Sequence, residues 1–209
     1  KETIISLQNE KVKQAVKLSK SRERQKTGLT LIDGEREIKM ALASNWEIQE
    51  IFYCPELIKN QDLLSAPASL TPVTEKIFRH LSQKENPDGY LAIAAIKITT
   101  LSDLELKTQP LIVVLESVEK PGNLGAIIRT AAAGNIDAVI VADPKTDIYH
   151  PNVIRASQGY VFQVPTVSAD SKKVIDWMKK NKIKGYAATT QGKKDHTAVN
   201  WQTASAIIL

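Results

Sequence analysis

Residues 111–134 read LIVVLESVEKPGNLGAIIRTAAAG, and this stretch decides the predicted fold. Residues 111–115 form a continuous apolar run, as expected for a strand buried on both faces of a parallel sheet. Residues from about 123 to 133 read as a helix, so a buried strand leads into a helix through a glycine-containing loop. Ligands bind open α/β sheets at such carboxyl ends of strands, which makes this junction the first candidate site.

The same alternation continues toward the C-terminus. We predict strands over residues 137–141, 160–164, 186–189 and 205–209, with helices over residues 152–157 and 171–181. Strands that alternate with helices indicate a mostly parallel sheet.

Residues 1–98 predict a smaller α/β unit. The pattern gives helices over residues 9–25 and 73–81 and after the Asp33-Gly34 turn, with strands over 29–32, 47–53 and 90–98. The polar segment 99–110 reads as a linker. The sequence therefore predicts an α/β protein with two domains, residues 1–104 and 105–209.

Bulk composition narrows the class of protein. The chain has 209 residues, 43% of them hydrophobic, which supplies an ordinary packed core. No apolar run reaches the roughly 20 residues that span a bilayer, and no signal peptide is evident. The single cysteine, Cys54, reads as a buried thiol rather than a nucleophile, and the three histidines are scattered. We expect a cytoplasmic protein without a metal site or membrane contact.

Positive charge is concentrated near the N-terminus. The formal net charge is +5, and residues 1–27 alone contain eight lysines and arginines against three glutamates. Candidate phosphate contacts on a helix over residues 9–25 are Lys13, Lys17, Lys20, Arg22 and Arg24. Four of these follow helical spacing on one face, which suits RNA phosphates. A solvated basic helix explains the pattern equally well.

The strand-to-helix junction carries the residues with chemical potential. Gly122 and Gly125 let a ligand approach the backbone closely, and Asn123 is predicted to cap the helix. Arg129 lies four residues beyond Gly125, which predicts the same face, among apolar neighbours. It is either a surface arginine with a salt bridge or a guanidinium aimed at a phosphate or a developing oxyanion.

The glycine spacing is not G-x-G-x-x-G, so a nucleotide-dependent oxidoreductase is disfavoured. Asp143 follows the next strand, where a ribose-binding acid would sit, but Asp143-Pro144 reads better as a turn.

Two runs in the right order resemble a known family. Residues 121–131, PGNLGAIIRTA, resemble the first motif of the SpoU/TrmH RNA methyltransferases. Residues 147–162, DIYHPNVIRASQGYVF, resemble a later segment of the same family. The N-terminal unit, with its basic helix and the LIDGE run at 31–35, is similar to the L30e-like substrate-binding domain of these enzymes.

The resemblance implies methyl transfer from S-adenosyl-L-methionine to a ribose 2′-hydroxyl of rRNA or tRNA, by a homodimer with a C-terminal trefoil knot. It maps the functional asparagine and arginine of the first motif onto Asn123 and Arg129. A guanidinium stays protonated in proteins, so electrostatic activation of the hydroxyl is favoured over proton removal.

The resemblance also assigns neighbouring residues. Ser157 and Gly159 are expected to shape a loop, as are Gly122 and Gly125. Arg155 contacts a phosphate or forms a structural salt bridge. Thr189, Thr190 and Gln191 are candidate cofactor contacts because they follow a strand that borders the cofactor in the family.

In the family, further motifs follow the position of Leu209 and supply the knot and most cofactor contacts. These motifs are absent from the 209 residues, which predicts a SPOUT-type domain without its knot segment. We therefore expect the 209-residue chain to bind the cofactor weakly. A non-catalytic RNA-binding protein that uses the basic N-terminal domain is the alternative. It predicts salt-sensitive RNA binding without methyl transfer.

Overall fold

The computed structural model describes residues 2–193 and 195–209 as two α/β units. The helices are α1 (Glu10–Lys17), α2 (Ser21–Thr27), α3 (Glu35–Ala43), α4 (Glu75–Leu81), α5 (Pro121–Ala133), α6 (Pro151–Ala156) and α7 (Ser171–Lys180). The strands are β1 (Leu29–Asp33), β2 (Ile48–Tyr53), β3 (Ser69–Pro72), β4 (Tyr90–Ala95), β5 (Leu111–Glu116), β6 (Ala138–Ala142), β7 (Thr166–Ala169), β8 (Lys184–Ala187) and β9 (Ser205–Ile208).

The C-terminal unit is a five-stranded sheet in the order β7-β6-β5-β9-β8, and every pair in it is parallel. The mixed α/β class with a parallel sheet is therefore confirmed. Alternate side chains of β5 point to opposite faces. Val113 and Leu115 pack with α5 and α6 on one face, whereas Ile112 and Val114 pack with α7 on the other.

The N-terminal unit is a four-stranded sheet in the order β1-β4-β2-β3. In it β4 is antiparallel to both β1 and β2, while β3 is parallel to β2. One face lies under α1 and α4. The other face, with α3, shares one continuous apolar core with α5 and α6 of the C-terminal unit.

Aromatic contacts close the boundary between the two units. The Trp46 ring packs edge-to-face on Tyr149 at 5.0 Å and on Phe162 at 4.8 Å between ring centroids. The Thr30 hydroxyl also donates to the carbonyl of Tyr149 across the boundary, at 2.7 Å. Edge-to-face aromatic pairs add to the burial free energy, so the two units are held as one packed body.

Two predictions of secondary structure are wrong. The strand expected at residues 160–164 is a 3-10 turn, Tyr160–Phe162, and the strand is β7, which follows Pro165. The apolar run is buried because it packs at the boundary between the units, and burial in a turn leaves the same sequence pattern as burial in a strand. The second wrong prediction is the single helix over residues 9–25. The structure has two helices in this range, α1 and α2.

The sequence predicted Arg24 to be an RNA contact, and this prediction is wrong. The break between α1 and α2 explains why. The Arg24 side chain is fully buried. Its Nη1 donates to the carbonyls of Leu18 and Ser19, which the end of α1 leaves without helical partners. Its Nε donates to the Asp147 carboxylate of the C-terminal unit at 2.8 Å. Arg24 therefore ties the two units together.

A second close contact joins α5 to α6. A Cβ added at Gly125 would lie 2.6 Å from Ala156 Cβ and 2.7 Å from the Val153 carbonyl oxygen. Gly125 therefore lies inside a helix and permits helix packing, which corrects its predicted role in a ligand loop. Gly159 has a similar role at the boundary between the units. It has a φ of +84°, and an added Cβ there would lie 2.9 Å from Met40 Cβ of α3.

Replacement of Arg24 by alanine should lower the free energy of unfolding by about 3–5 kcal/mol, because the buried guanidinium is removed and the partly buried Asp147 carboxylate and two carbonyls lose their donor. Arg22→Ala is the matched control on the same helix, and its exposed side chain predicts a change within about 0.5 kcal/mol. Urea unfolding followed by circular dichroism measures both. Equal, small effects of the two substitutions would contradict the structural role of Arg24.

Gly125→Ala should lower the free energy of unfolding by about 1–3 kcal/mol, because the methyl group meets backbone atoms that cannot rotate away. Gly122→Ala is the control in the same helix, where an added Cβ has nothing within 4 Å. That change should leave stability unchanged or raise it by up to about 1 kcal/mol. Thermal and urea unfolding of both variants decide the point, and an unaffected Gly125→Ala protein would refute the packing role.

Candidate active site

The helix α5 begins at the carboxyl end of β5, the middle strand of the parallel sheet. Its first residue is Pro121, whose fixed φ suits the first helical position and whose missing N–H costs nothing there. Lys120 occupies the cap position without a side-chain cap bond. The predicted cap by Asn123 is therefore wrong, because Asn123 is already the third residue of the helix.

The start of α5 offers hydrogen-bonding groups to a ligand. Gly122 and Asn123 are both exposed. Within residues 2–193 and 195–209, neither the Gly122 N–H nor the Asn123 side-chain amide has a hydrogen-bond partner, whereas the backbone N–H of Asn123 donates to the Lys120 carbonyl at 3.0 Å. The free Gly122 N–H, the Asn123 side-chain amide and the helix dipole favour an anion at this position, so the junction can hold a phosphate or a carboxylate.

Arg129 lies on the exposed side of α5. It shares that side with Gly122 and Ala126, while Gly125, one turn earlier, is buried. In the part of the chain that the structure describes, Arg129 makes no hydrogen bond or ion pair. A structural salt bridge therefore does not account for it, and the guanidinium is available to a ligand or to another chain.

Three strands meet at the edge of the sheet beside α5. The N–H of Glu116 donates to the Leu209 carbonyl after β9, and the N–H of Ala188 donates to the Ile208 carbonyl. Thr189, Thr190 and Gln191 follow directly, and all three are exposed. The sheet thus brings the predicted cofactor residues to the edge at which α5 also begins.

The loop before α6 is built around a histidine. His150 Nδ1 accepts the N–H of Asn152 at 3.0 Å and so caps α6, with Pro151 at the first helical position. Burial, and then the nearby Arg24 guanidinium, lower the pKa of His150. The imidazole is therefore held in the neutral form that this cap requires. A histidine directly before a helix-initiating proline was the signal in the sequence for this role, and it was missed.

The other residues of the second motif are structural. Ser157 is fully buried, and its hydroxyl donates to the Ile154 carbonyl. The exposed Arg155 donates from Nη1 to the Gln83 carbonyl of the N-terminal unit at 3.1 Å. This hydrogen bond crosses the boundary between the units, so Arg155 has a structural anchor that is not the predicted salt bridge.

Asp143 is a turn residue, as the sequence favoured. It has a φ of +46°, and its carboxylate accepts both the N–H and the hydroxyl of Ser171 at the start of α7. These hydrogen bonds lower the pKa of Asp143. The residue therefore fixes the start of α7 and does not stand ready to bind a ribose.

The remaining basic candidates divide by exposure. Lys17, Lys20 and Arg22 are exposed, and Lys13 is half-buried and pairs with Glu10 at 3.1 Å. Because α1 and α2 are separate helices, these side chains do not form the single stripe that the sequence predicted. They do remain a basic surface at the N-terminal end of the molecule.

Other chemical groups have ordinary explanations. Cys54 is buried and donates to the Glu56 carboxylate, and burial together with this neighbour raises the pKa of the thiol to about 11. Among the described residues, no group of three or more His, Cys, Asp or Glu side chains is placed to hold a metal ion. The same residues include no helix with the length and apolarity to cross a membrane.

Comparisons with known proteins agree with this architecture. Residues 9–92 match the MRM3-like substrate binding domain, and residues 110–209 match the SpoU rRNA Methylase family. The chain is 29% identical over 206 residues to the 23S rRNA (guanosine(2553)-2′-O)-methyltransferase RlmP of Bacillus subtilis, covering 99% of this chain and 81% of the relative.

Solved structures give the same result. A structure of an RNA 2′-O ribose methyltransferase is 32% identical, with a TM-score of 0.89, covering 100% of this chain and 81% of that one. The S-adenosyl-L-methionine-bound rRNA methyltransferase of Sinorhizobium meliloti is 25% identical, with a TM-score of 0.88 and coverage of 99% and 79%.

Proposed function

Because the chain belongs to the SpoU family of RNA 2′-O-ribose methyltransferases, we propose that it methylates a ribose 2′-hydroxyl of ribosomal RNA in the cytoplasm. Its cofactor is S-adenosyl-L-methionine. The observation that carries the proposal is the exposed Arg129 guanidinium of α5, which has no partner among the described residues.

The reaction needs alignment and charge stabilisation. A ribose hydroxyl is a poor nucleophile until its proton passes to a base, and negative charge develops on the oxygen as that proton leaves. The new bond to the methyl carbon then removes this charge, and the cofactor leaves as a neutral thioether. The bound cofactor supplies a methyl group on a sulfonium, which is already a good electrophile. The protein has to hold the hydroxyl in line and stabilise the developing charge.

Arg129 is suited to the second task. A guanidinium stays protonated at physiological pH, and its planar set of donors matches a phosphate or an oxyanion. Arg129 therefore activates the hydroxyl electrostatically and holds the neighbouring phosphate, while the free groups of Gly122 and Asn123 orient the ribose-phosphate backbone. No proton is assigned to Arg129 in this mechanism.

A second copy of the chain completes the site in this proposal. Arg129 is the ninth residue of α5, and a rise of about 1.5 Å per residue sets it about 12 Å along the helix from Pro121. It is thus set back from the sheet edge of its own protomer. Gly122, Ala126 and Ala133 are exposed on the same helix, and small side chains allow a second helix to approach closely. The α5 helices of a homodimer would then carry each Arg129 toward the partner's sheet edge.

In this proposal the ends of β8 and β9 form one wall of the cofactor site. The cofactor carries hydroxyl and amino groups that require hydrogen-bond partners. The side chains of Thr189, Thr190 and Gln191 are exposed at the sheet edge and provide such partners without competing bonds within the described residues. These three residues would hold the cofactor against the ends of β8 and β9, as an open wall.

The N-terminal unit supplies RNA affinity in this proposal. We assign residues 1–104 to RNA binding and residues 105–209 to methyl transfer. Exposed cations at Lys17, Lys20 and Arg22 are free to contact phosphates, with Lys13 beside them. Arg155 lies at the boundary and joins this surface to the catalytic unit.

Arg129→Ala should reduce methyl transfer to ribosomal RNA by at least about 10²-fold, because one donor to the developing charge is lost. Its free energy of unfolding should change by less than about 0.5 kcal/mol, since the side chain is exposed. Arg129→Lys retains the charge without the planar fork and should lose less activity. Methyl transfer by the wild-type protein and the two variants is measured as incorporation of a labelled methyl group into alkali-resistant linkages of the RNA.

Lys179→Ala is the control for general loss of positive charge, because Lys179 is exposed on α7, across the sheet from α5. It should keep full activity. Full activity of the Arg129→Ala protein would refute the role of Arg129 in activating the hydroxyl. RNA binding with no methyl transfer by the wild-type protein would favour the non-catalytic alternative.

A further inference from the structure

A cleft of about 750 Å³ lies on the face of the parallel sheet opposite α5. One wall is α7, through Lys173, Trp177 and Lys180, and the other is residues 100–104 of the segment that joins the two units. Leu101 and Leu104 pack on the same apolar core as Trp177. The linker is therefore anchored, and the cleft is a built feature of the fold.

Trp177 packs on the apolar core, and of the three tryptophans it alone lines this cleft. Trp46 is buried among aromatic rings, and Trp201 donates from Nε1 to the His196 carbonyl and packs on Tyr186. Trp177 is half-buried in the cleft, and its indole N–H has no hydrogen-bond partner among the described residues. A partly exposed aromatic ring in a cleft is a platform on which a base can stack.

Lysines flank this ring. Positions 173, 177 and 180 are four and three residues apart, so these side chains lie on one face of α7. Lys173 pairs with Asp170 at 3.0 Å, but both side chains are about 70% exposed, at 73% and 69%. Such an exposed pair is weak and yields readily to a phosphate.

A second cleft of about 520 Å³ continues the first toward the N-terminal unit. The two share Pro144 and Ser168, and the second is lined by Lys145, the largely exposed Ile98 and residues of α2. The Asp147 carboxylate in its lining is paired with Arg24. The combined path thus presents lysines and apolar surface from α2 to α7.

We propose that this path binds an unpaired stretch of RNA, with one base stacked on Trp177 and adjacent phosphates held by Lys173 and Lys180. Positive charge matches the phosphates, and a flat ring recessed between lysines matches a splayed base, whereas a duplex hides its base faces. This inference rests on the proposed function, because that function makes RNA the ligand of the cleft. It names where RNA that flanks the methylated ribose lies.

The test is the affinity of the protein for a labelled short oligouridine, measured by fluorescence anisotropy at several salt concentrations. Trp177→Leu should weaken binding about tenfold or more, because a base–aromatic stack is lost. Trp177→Phe should restore most of the affinity. The double variant Lys173→Gln/Lys180→Gln should lower the slope of log affinity against log salt by about 1.4, as expected for two single-strand phosphate contacts.

The matched control is Lys172→Gln/Lys179→Gln, which removes two exposed lysines of the same helix that do not line either cleft. It should leave the affinity within about twofold. Thermal unfolding checks that Trp177→Leu is folded, and the Trp177→Phe protein keeps the test decisive if it is not. A photocrosslink from 4-thiouridine in the same oligomer should fall on residues 171–181.

The inference is overturned if the cleft double variant behaves like its control while Trp177→Phe loses as much affinity as Trp177→Leu. It is also overturned if polyglutamate displaces the oligomer as well as unlabelled oligouridine does, since the surface is then a general anion site. Failure of the proposed function is a separate result. In that case the protein transfers no methyl group, yet oligouridine binding still depends on Trp177.

Discussion

The close contact of α5 with α6 at Gly125 sets how the two halves of the molecule pack. With no side chain at this position, α6 approaches the α5 backbone to a distance that a Cβ would not allow. That contact fixes the rotation of α5 about its axis. Leu124 and Ile128 are thereby buried against the sheet, and Arg129 is turned outward. The exposure of the Arg129 guanidinium is thus a consequence of helix packing.

The same packing joins the two units. The helix α6 lies between α5 and the N-terminal sheet, and its residue Arg155 bonds the N-terminal unit directly. Arg24 makes the reciprocal connection from the N-terminal unit to Asp147. In the function we propose, an RNA bound by the basic N-terminal surface is presented to the parallel sheet by a rigid connection. In our proposals the two faces of that sheet differ in role, with α5 directed to methyl transfer and α7 to RNA that flanks the methylated ribose.

Several parts of this architecture could be predicted from the sequence for physical reasons. Residues 111–115 are apolar without interruption, and few structures other than a doubly buried strand satisfy such a run. Pro121, Gly122 and the helical run after them mark the start of α5. The resemblance of residues 121–131 and 147–162 to one family then gave the activity, which the comparisons support.

The features that could not be predicted from the sequence depend on contacts between residues far apart in the chain. Arg24 has helical spacing with Lys17 and Lys20, and nothing local reveals that a carboxylate 123 residues away holds it in the interior. Likewise Tyr160–Phe162 has the composition of a strand but is buried by Trp46, from the other unit. The β3 strand, Ser69–Pro72, was missed because its edge position lets it carry few apolar residues.

In the function we propose, packing turns Arg129 outward so that it serves a site completed by a second copy of the chain. A mixed-dimer assay tests this most directly. Protein with Arg129→Ala is unfolded and refolded together with protein in which Thr189, Thr190 and Gln191 are all alanine, and methyl transfer is compared with that of each variant alone. We predict that neither variant is active alone and that the mixture recovers activity, because one intact site forms in each mixed dimer. A mixture as inactive as its components would place Arg129 and the strand-end residues in the same protomer's site and contradict the account.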